Sequence, residues 1–276
     1  LNAPGITHLA EVGSTNDWLL ERANDLPDGH WVITDRQTAG RGRRGRAWRD
    51  GAGNLMASVL VRADGPVQQL SFVAAIALAT ALSSALPLTS PLPQAGGAGG
   101  GGSLATSGGS GGEGDPTSPS REREGRSEEE GRRIQLKWPN DLLLDGKKVS
   151  GILLERAGAA LVIGFGVNIA SFPQGTERPA ISLAAAGLAI PQPIDVLGGL
   201  ATAFAEYRAL WAVQGFEPIR ARWLAQAAGL GDRIVVRLGD NTLEGVFEGL
   251  EPDGALTLRL DDGRKRAVHA GEVFAL

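Results

Sequence analysis

Apolar residues recur along this chain with two periods. Residues 69–86 place Leu70, Val73, Ala74, Ala77, Leu78, Ala81 and Leu82 on one helical stripe and predict a buried helix. Residues 194–211 predict an amphipathic helix and residues 216–228 a shorter one. Ser14 or Thr15 precedes the apolar run of residues 17–23 as a helix N-cap, with the helix ending near Asn24. Strands are predicted at residues 31–34, 54–61, 134–138, 149–155 and 161–169. Leu142-Leu143-Leu144-Asp145-Gly146-Lys147-Lys148-Val149 is a hairpin with an Asp-Gly type I′ turn. Residues 1–12 carry too weak a pattern to assign.

After Gly229 the period changes. Ile234, Val236 and Leu238 alternate with Arg233 and Arg237, and Leu256, Leu258 and Leu260 alternate with Thr257 and Arg259. Asp253-Gly254 and Asp262-Gly263 separate strands there, so residues 230–276 read as a small β barrel. The fold class is therefore α+β: a mixed or antiparallel central sheet backed by helices in residues 1–229, then the barrel. Trp18, Trp31, Trp138, Trp211 and Trp223 are assigned to the core.

Residues 95–133 differ in kind. They hold 13 of the 40 glycines, and Leu104 is their one large apolar residue. Such a segment cannot bury enough surface to offset ordering its backbone, so it reads as a disordered insertion within the first domain.

The net charge of −4 argues against a general polyanion binder, and against nucleic acid as a partner. With no cysteine, disulfides and thiolate metal sites are excluded, and a cytoplasmic location fits. His8, His30 and His269 show no metal-ligand spacing. Residues 1–20 have no signal-peptide pattern, and the apolar stretch of residues 72–82 is too short to cross a membrane.

Against that acidic background, residues 35–48 stand out: Asp35-Arg36-Gln37-Thr38-Ala39-Gly40-Arg41-Gly42-Arg43-Arg44-Gly45-Arg46-Ala47-Trp48. Gly40, Gly42 and Gly45 spell G-x-G-x-x-G, but no apolar helical stripe follows, so a dinucleotide-binding turn is rejected. Glycine permits close backbone approach, and arginine supplies forked donors for carboxylate and phosphate. The stretch reads as an anion-binding loop able to fold over a charged small molecule. Lys137 closes a strand just before Trp138-Pro139-Asn140-Asp141 and is the candidate catalytic lysine. Asn140 and Asp141 are equally well explained by the turn they make. Lys147 and Lys148 flank a hairpin tip and read as solvated.

Five pieces follow one another in order: Ser14-Thr15-Asn16; Gln37 to Trp48; Lys137-Trp138-Pro139-Asn140-Asp141; Gly146-Lys147-Lys148-Val149-Ser150-Gly151-Ile152-Leu153; and Gly164-Phe165-Gly166-Val167-Asn168-Ile169. In these motifs the chain resembles the biotin protein ligases, and residues 230–276 resemble their SH3-like end domain. The chain starts close to the first motif and so resembles the shorter members that are not repressors. The resemblance implies that biotin and ATP, with Mg²⁺ on its phosphates, give biotinyl-5′-AMP, and that biotin then passes to a lysine of a biotin carboxyl carrier domain. It implies Lys137, Arg43 and Arg41 as catalytic residues. Contacts to biotin or its adenylate would come from Ser14, Thr15, Asn16, Gln37, Gly40, Arg41, Gly42, Arg43, Trp48, Lys137, Gly151 and Asn168. No membrane is implied, and a homodimer is left open. The alternatives are a lipoate or octanoate ligase, which would lack this loop, and a nucleic-acid-binding module.

Overall fold

The computed structural model describes residues 5–48, 51–62, 65–85, 133–239 and 241–275. All of the predicted insertion except Arg133 lies outside the described residues.

A seven-stranded sheet forms the centre, ordered β1-β2-β3-β7-β6-β5-β4. Its strands are β1 (Ile6–Leu9), β2 (Trp31–Thr34), β3 (Leu55–Val61), β4 (Ile134–Lys137), β5 (Asp141–Leu144), β6 (Lys147–Ala157) and β7 (Ala160–Val167). Only the β1–β2 pair is parallel, so the sheet is mixed. The sequence left β1 unassigned: it is a four-residue edge strand with no fully buried residue, so it carries little hydrophobic signal. The expected Asp-Gly hairpin joins β5 to β6, with Asp145 and Gly146 at φ 51° and 74° as a type I′ turn requires.

Strand alternation divides the side chains between two faces. Trp31, Ile33, Val59, Val61 and Ile163 enter the main core with the buried helix α2 (Leu70–Ala85), and α3 (Pro193–Gln214) joins the same core. Val32, Leu60 and Val162 point the other way, onto Leu19 and Ala23 of the N-terminal segment. Leu19 belongs to α1 (Thr15–Glu21), whose N-cap is Ser14, as expected. By length and composition α2 with its preceding turn could cross a membrane, but eleven of its residues are buried in this core. α4 (Glu217–Leu224) is shorter than predicted, because the chain after it turns to bridge β4: Leu136 N–H donates to Gln226 O and Ala228 N–H to Leu136 O. Trp31, Trp138, Trp211 and Trp223 are buried. Trp18 is only half-buried, with the Arg22 guanidinium 4.5 Å from its ring.

The C-terminal sheet is antiparallel, ordered β11-β10-β9-β8-β12: β8 (Arg233–Leu238), β9 (Asn241–Leu250), β10 (Leu256–Arg259), β11 (Lys265–Val268) and β12 (Glu272–Ala275). It shares the main core. Phe72, Phe216, Trp223 and Phe247 pack edge to face, and Trp138 Nε1–H donates to Gly254 O at 3.2 Å. This packing sets Phe274 of β12 near Lys137 at the end of β4.

Candidate active site

The α1 face of the sheet is thinned by small residues. In the ladder Ser58 pairs with Gly164, Met56 with Gly166, Gly151 with Gly166 and Leu153 with Gly164. Four of these six residues, Ser58, Gly151, Gly164 and Gly166, have small side chains or none, and a cavity of about 320 Å³ occupies the space. A Cβ at Gly166 would strike the Trp48 indole, and one at Gly164 would strike the Asn16 amide. A Cβ at Gly151 would stand 3.3 Å from Trp48 Cζ3. These glycines are the space that lets two side chains lie on the sheet.

One end of the cavity is a hydrogen-bonded polar set at the start of α1. Gln37 Oε1 accepts from Thr15 N–H at 2.9 Å and from the Thr15 hydroxyl at 3.1 Å. The buried Ser58 hydroxyl lies 2.7 Å from Thr15 Oγ1 and 2.6 Å from Asn16 Oδ1, and Asn16 Nδ2 donates to Glu155 at 2.7 Å. Every rotamer in this set is held by a neighbour, which prepares the exposed polar atoms for a ligand.

The loop of residues 35–48 folds over the cavity and is closed at its neck. Trp48 N–H donates to Gly40 O at 2.9 Å, and Gly42 N–H to Arg46 O at 2.7 Å. Gly40 is buried in this neck, where a side chain would meet Trp48 O at 3.0 Å. Gly45 takes φ +70° in a one-turn 3₁₀ segment, Arg43–Gly45, a conformation that costs other residues energy. Arg43 reaches across to Asn140 Oδ1 at 3.2 Å, while Asn140 Nδ2 holds Ile152 O.

Of the sequence-derived site residues, Ser14, Thr15, Asn16, Gln37, Arg41, Gly42, Arg43, Trp48, Gly151 and Asn168 line this cavity. Gly40 and Lys137 are not among its lining residues. Arg41 spends its charge on acids of the chain. It pairs with both Asp17 oxygens, at 2.7 and 2.5 Å, and lies 3.3 Å from Glu155. Arg36 pairs with Glu11 and Arg46 with Glu272, each within 2.8 Å.

At the other end the structure corrects two readings. Asp141 is not a turn residue: it begins β5, is buried, and pairs with Lys148 Nζ at 2.7 Å. Lys148 is therefore not solvated; it lines the cavity. Register explains both, because Asp141 lies opposite Gly151 and Lys137 opposite Asp141. Sequence reasoning missed Arg178, Glu272 and Asn54. Arg178 and Glu272 line the same end. Asn54 Oδ1 accepts from the amides of Ile169, Ala170 and Ser171 at 3.0–3.1 Å and so fixes the segment leading to Arg178. An Asn next to a strand start was the one available signal.

Lys137 stands among cations. Burial first, then Arg178 and Lys148, lower its pKa to about 8, against the opposing pull of Asp141 and Glu272. Its Nζ lies 5.8 Å from the centre of the Phe274 ring.

The sequence pattern of the Biotin/lipoate A/B protein ligase family matches residues 9–168, and that of the biotin protein ligase C-terminal domain matches residues 229–276. The biotin–[acetyl-CoA-carboxylase] ligase of Paracoccus denitrificans is 38% identical, over 96% of this chain and 98% of that one. The enzyme of the same name from Mycobacterium tuberculosis is 31% identical, over 97% and 88%. Among solved structures, the biotin protein ligase from Aquifex aeolicus, in complex with biotin and ATP, shares the fold with a TM-score of 0.74 at 22% identity, covering 99% of each chain. The two family patterns take in the glycine floor, the arginine loop and the C-terminal sheet, and, with a relative matched over 96% of its length, the chain belongs to the biotin protein ligases.

Proposed function

We propose that this biotin protein ligase performs both of its half-reactions in the cavity between the glycine floor and the arginine loop. The carrying observation is the division of that cavity: an ordered hydroxyl and amide set at Ser14, Thr15, Asn16 and Gln37, and cations at the far end. An apolar slot with a few fixed polar groups suits the fused rings of biotin, and Trp48 over Gly151 and Gly166 closes it.

In the first step a biotin carboxylate oxygen attacks the α-phosphorus of ATP. The bond from that phosphorus to its β-bridging oxygen breaks, and pyrophosphate leaves. The carboxylate is ionised near pH 7, so no base is needed. The obstacle is negative charge building on both reactants, which Arg43 on the cavity wall and Lys137, in register behind the wall residue Asp141, offset where water is excluded. Positioning the two reactants supplies much of the remaining acceleration. In the second step the neutral amine of a carrier-domain lysine attacks the acyl carbon, AMP departs, and the amine proton goes to solvent. The closed loop protects the mixed anhydride from water until then.

No three acidic or histidine side chains converge as a metal cage among the described residues. Asp141 and Glu272 are engaged by Lys148 and Arg46. The donors present therefore do not fit a protein-held Mg²⁺. They suit an ion carried on the triphosphate, where it would neutralise phosphate oxygens.

Residues 1–229 act as the catalytic unit and residues 230–276 as an end domain that completes the cavity with Glu272; the cytoplasm suits this cysteine-free chain. Biotin is favoured over lipoate or octanoate by the C-terminal match and by the names of both relatives. The engagement of Arg36, Arg41 and Arg46 by acids of the chain favours a small ligand over nucleic acid. Incubation with ATP, Mg²⁺ and biotin gives biotin-dependent pyrophosphate release. Release with octanoate or lipoate and none with biotin would overturn the proposal.

A further inference from the structure

Arg178 lies in the segment after β7, largely buried, and nothing in the reaction above uses it. Its guanidinium sits 4.3 Å from the centre of the Phe274 ring, on the side chain that β12 projects toward the first domain. Arg237 lies 4.5 Å and Lys137 Nζ 5.8 Å from the same ring. Lys148 and Arg46 complete the cluster, through Asp141 and Glu272 respectively. Five cations thus face three carboxylates, Asp141, Glu272 and Glu177, leaving a surplus of two positive charges. The surplus lies at the end of the cavity away from Ser14 and Gln37.

The donors of Arg178 are not satisfied by these acids. Their carboxylate oxygens are 3.7 Å away on Asp141 and 3.5 Å away on Glu272, too far for good hydrogen bonds. Nε and one terminal nitrogen are buried without a hydrogen-bond partner. Buried donors in this condition are costly and call for an acceptor. The segment is not loose: Lys148 N–H donates to Pro179 O and Ile181 N–H to Lys148 O, both at 2.9 Å. The segment that carries the guanidinium is held in place, and two of its nitrogens lack a hydrogen-bonded acceptor although carboxylates stand within ion-pair range.

We propose that Arg178 is a further phosphate-binding residue of the adenylation reaction: stacked on Phe274, its guanidinium receives, with Lys148, the leaving pyrophosphate end of ATP. The proposal rests on the function proposed above. Order along the cavity supports it, since a nucleotide whose α-phosphate meets the biotin carboxylate extends its β- and γ-phosphates toward the remaining cations. A phosphate oxygen also supplies the acceptor that Asp141 and Glu272 stand too far away to be. Arg41 cannot serve here, being paired by Asp17 and Glu155 at the opposite end.

The test is steady-state kinetics of Arg178→Gln, Arg178→Lys and Phe274→Leu, with folding checked by thermal melts. Arg178→Gln raises the ATP KM about tenfold or more and weakens inhibition by added pyrophosphate by a similar factor, the expected loss of one charged hydrogen-bonded contact. The biotin KM stays unchanged, and Arg178→Lys recovers part of the loss. A folded Arg178→Gln with wild-type ATP KM overturns the proposal, as does an equal rise in both KM values. If Arg178→Gln does not fold, Phe274→Leu decides, because it removes the platform and keeps every charge. A raised ATP KM with unchanged biotin KM then supports the proposal, and an unchanged ATP KM overturns it. Calorimetric titration of the resting protein with pyrophosphate separates this proposal from the function: binding lost in Arg178→Gln supports the site even if biotin proves not to be the substrate.

Discussion

The indole of Trp48 occupies the space that a side chain at Gly166 would need. The loop and the sheet are therefore matched by an absence, and the match can be broken with one methyl. Gly166→Ala is expected to push Trp48 off the floor while the fold survives, since the loop can swing outward. A misplacement of about an ångström typically costs about 100-fold in rate. Steady-state adenylation by the folded variant checks this, and wild-type kcat/KM would refute it.

Lys137→Ala is expected to fold and to lose adenylation. A strand-end lysine adds little to the core, whereas one lost charge contact to a transition state costs about 3–4 kcal/mol in barrier height. Pyrophosphate release by a variant with a normal melting curve is the measurement. Near-normal release would remove Lys137 from the mechanism.

The same lysine sets an expected pH limb. Its surroundings are Arg178 and Lys148, which repel the ammonium, Asp141 and Glu272, which attract it, and the Phe274 ring. Burial and repulsion prevail and bring the pKa to about 8. Between about 8 and the ordinary lysine range the unfolded chain holds a proton that the folded chain lacks, so this group adds stability as pH rises through that window. Activity runs the other way, because the charged form serves the phosphates: kcat/KM for ATP falls as pH rises through about 8. Lys137→Arg keeps its charge and moves the limb upward. An unmoved limb would assign it to another group.

Hydrogen exchange across residues 36–48 should slow when biotin and ATP bind. Glycine makes the free loop costly to order, and the Arg41–Asp17 pair offsets only part of that cost, because exposed ion pairs contribute little. A bound carboxylate or phosphate adds a partner for Arg43. If biotin tightens ATP in this way, linkage requires ATP to tighten biotin by the same factor. Asp17→Asn is expected to speed exchange in the resting loop. Equal protection with and without ligands would mean a preformed loop and end the gating account.

Local pattern made most elements legible. The stripe from Leu70 to Leu82, the Asp145-Gly146 turn and the leucine alternation of β10 each follow from neighbours in sequence, and each forms as read. The arginine-glycine loop was legible for a different reason, since its composition is unusual enough to imply an anion without any fold. β1 was not, because a short edge strand buries too little to impose a period.

The sequence by itself determined the fold class and the family, and its compact motifs named Ser14, Thr15, Asn16 and Gln37, which line one cavity. Only the tertiary structure decided its cationic end. Lys148, Arg178 and Glu272 come from a hairpin, a segment after β7 and the last strand, separated by tens of residues, and singly each looks like an ordinary surface charge. The β5–β6 register and the packing of the C-terminal sheet bring them together. The charge surplus that results, and the lowered pKa of Lys137, exist only when those elements meet. Pairing also adds to the reading of Arg41, which lines the cavity and is held there by acids of the chain. Its residue type suits a carboxylate or phosphate, and its ion pairs with Asp17 and Glu155 were not legible, because Coulomb energy depends on distances that no linear order of residues contains.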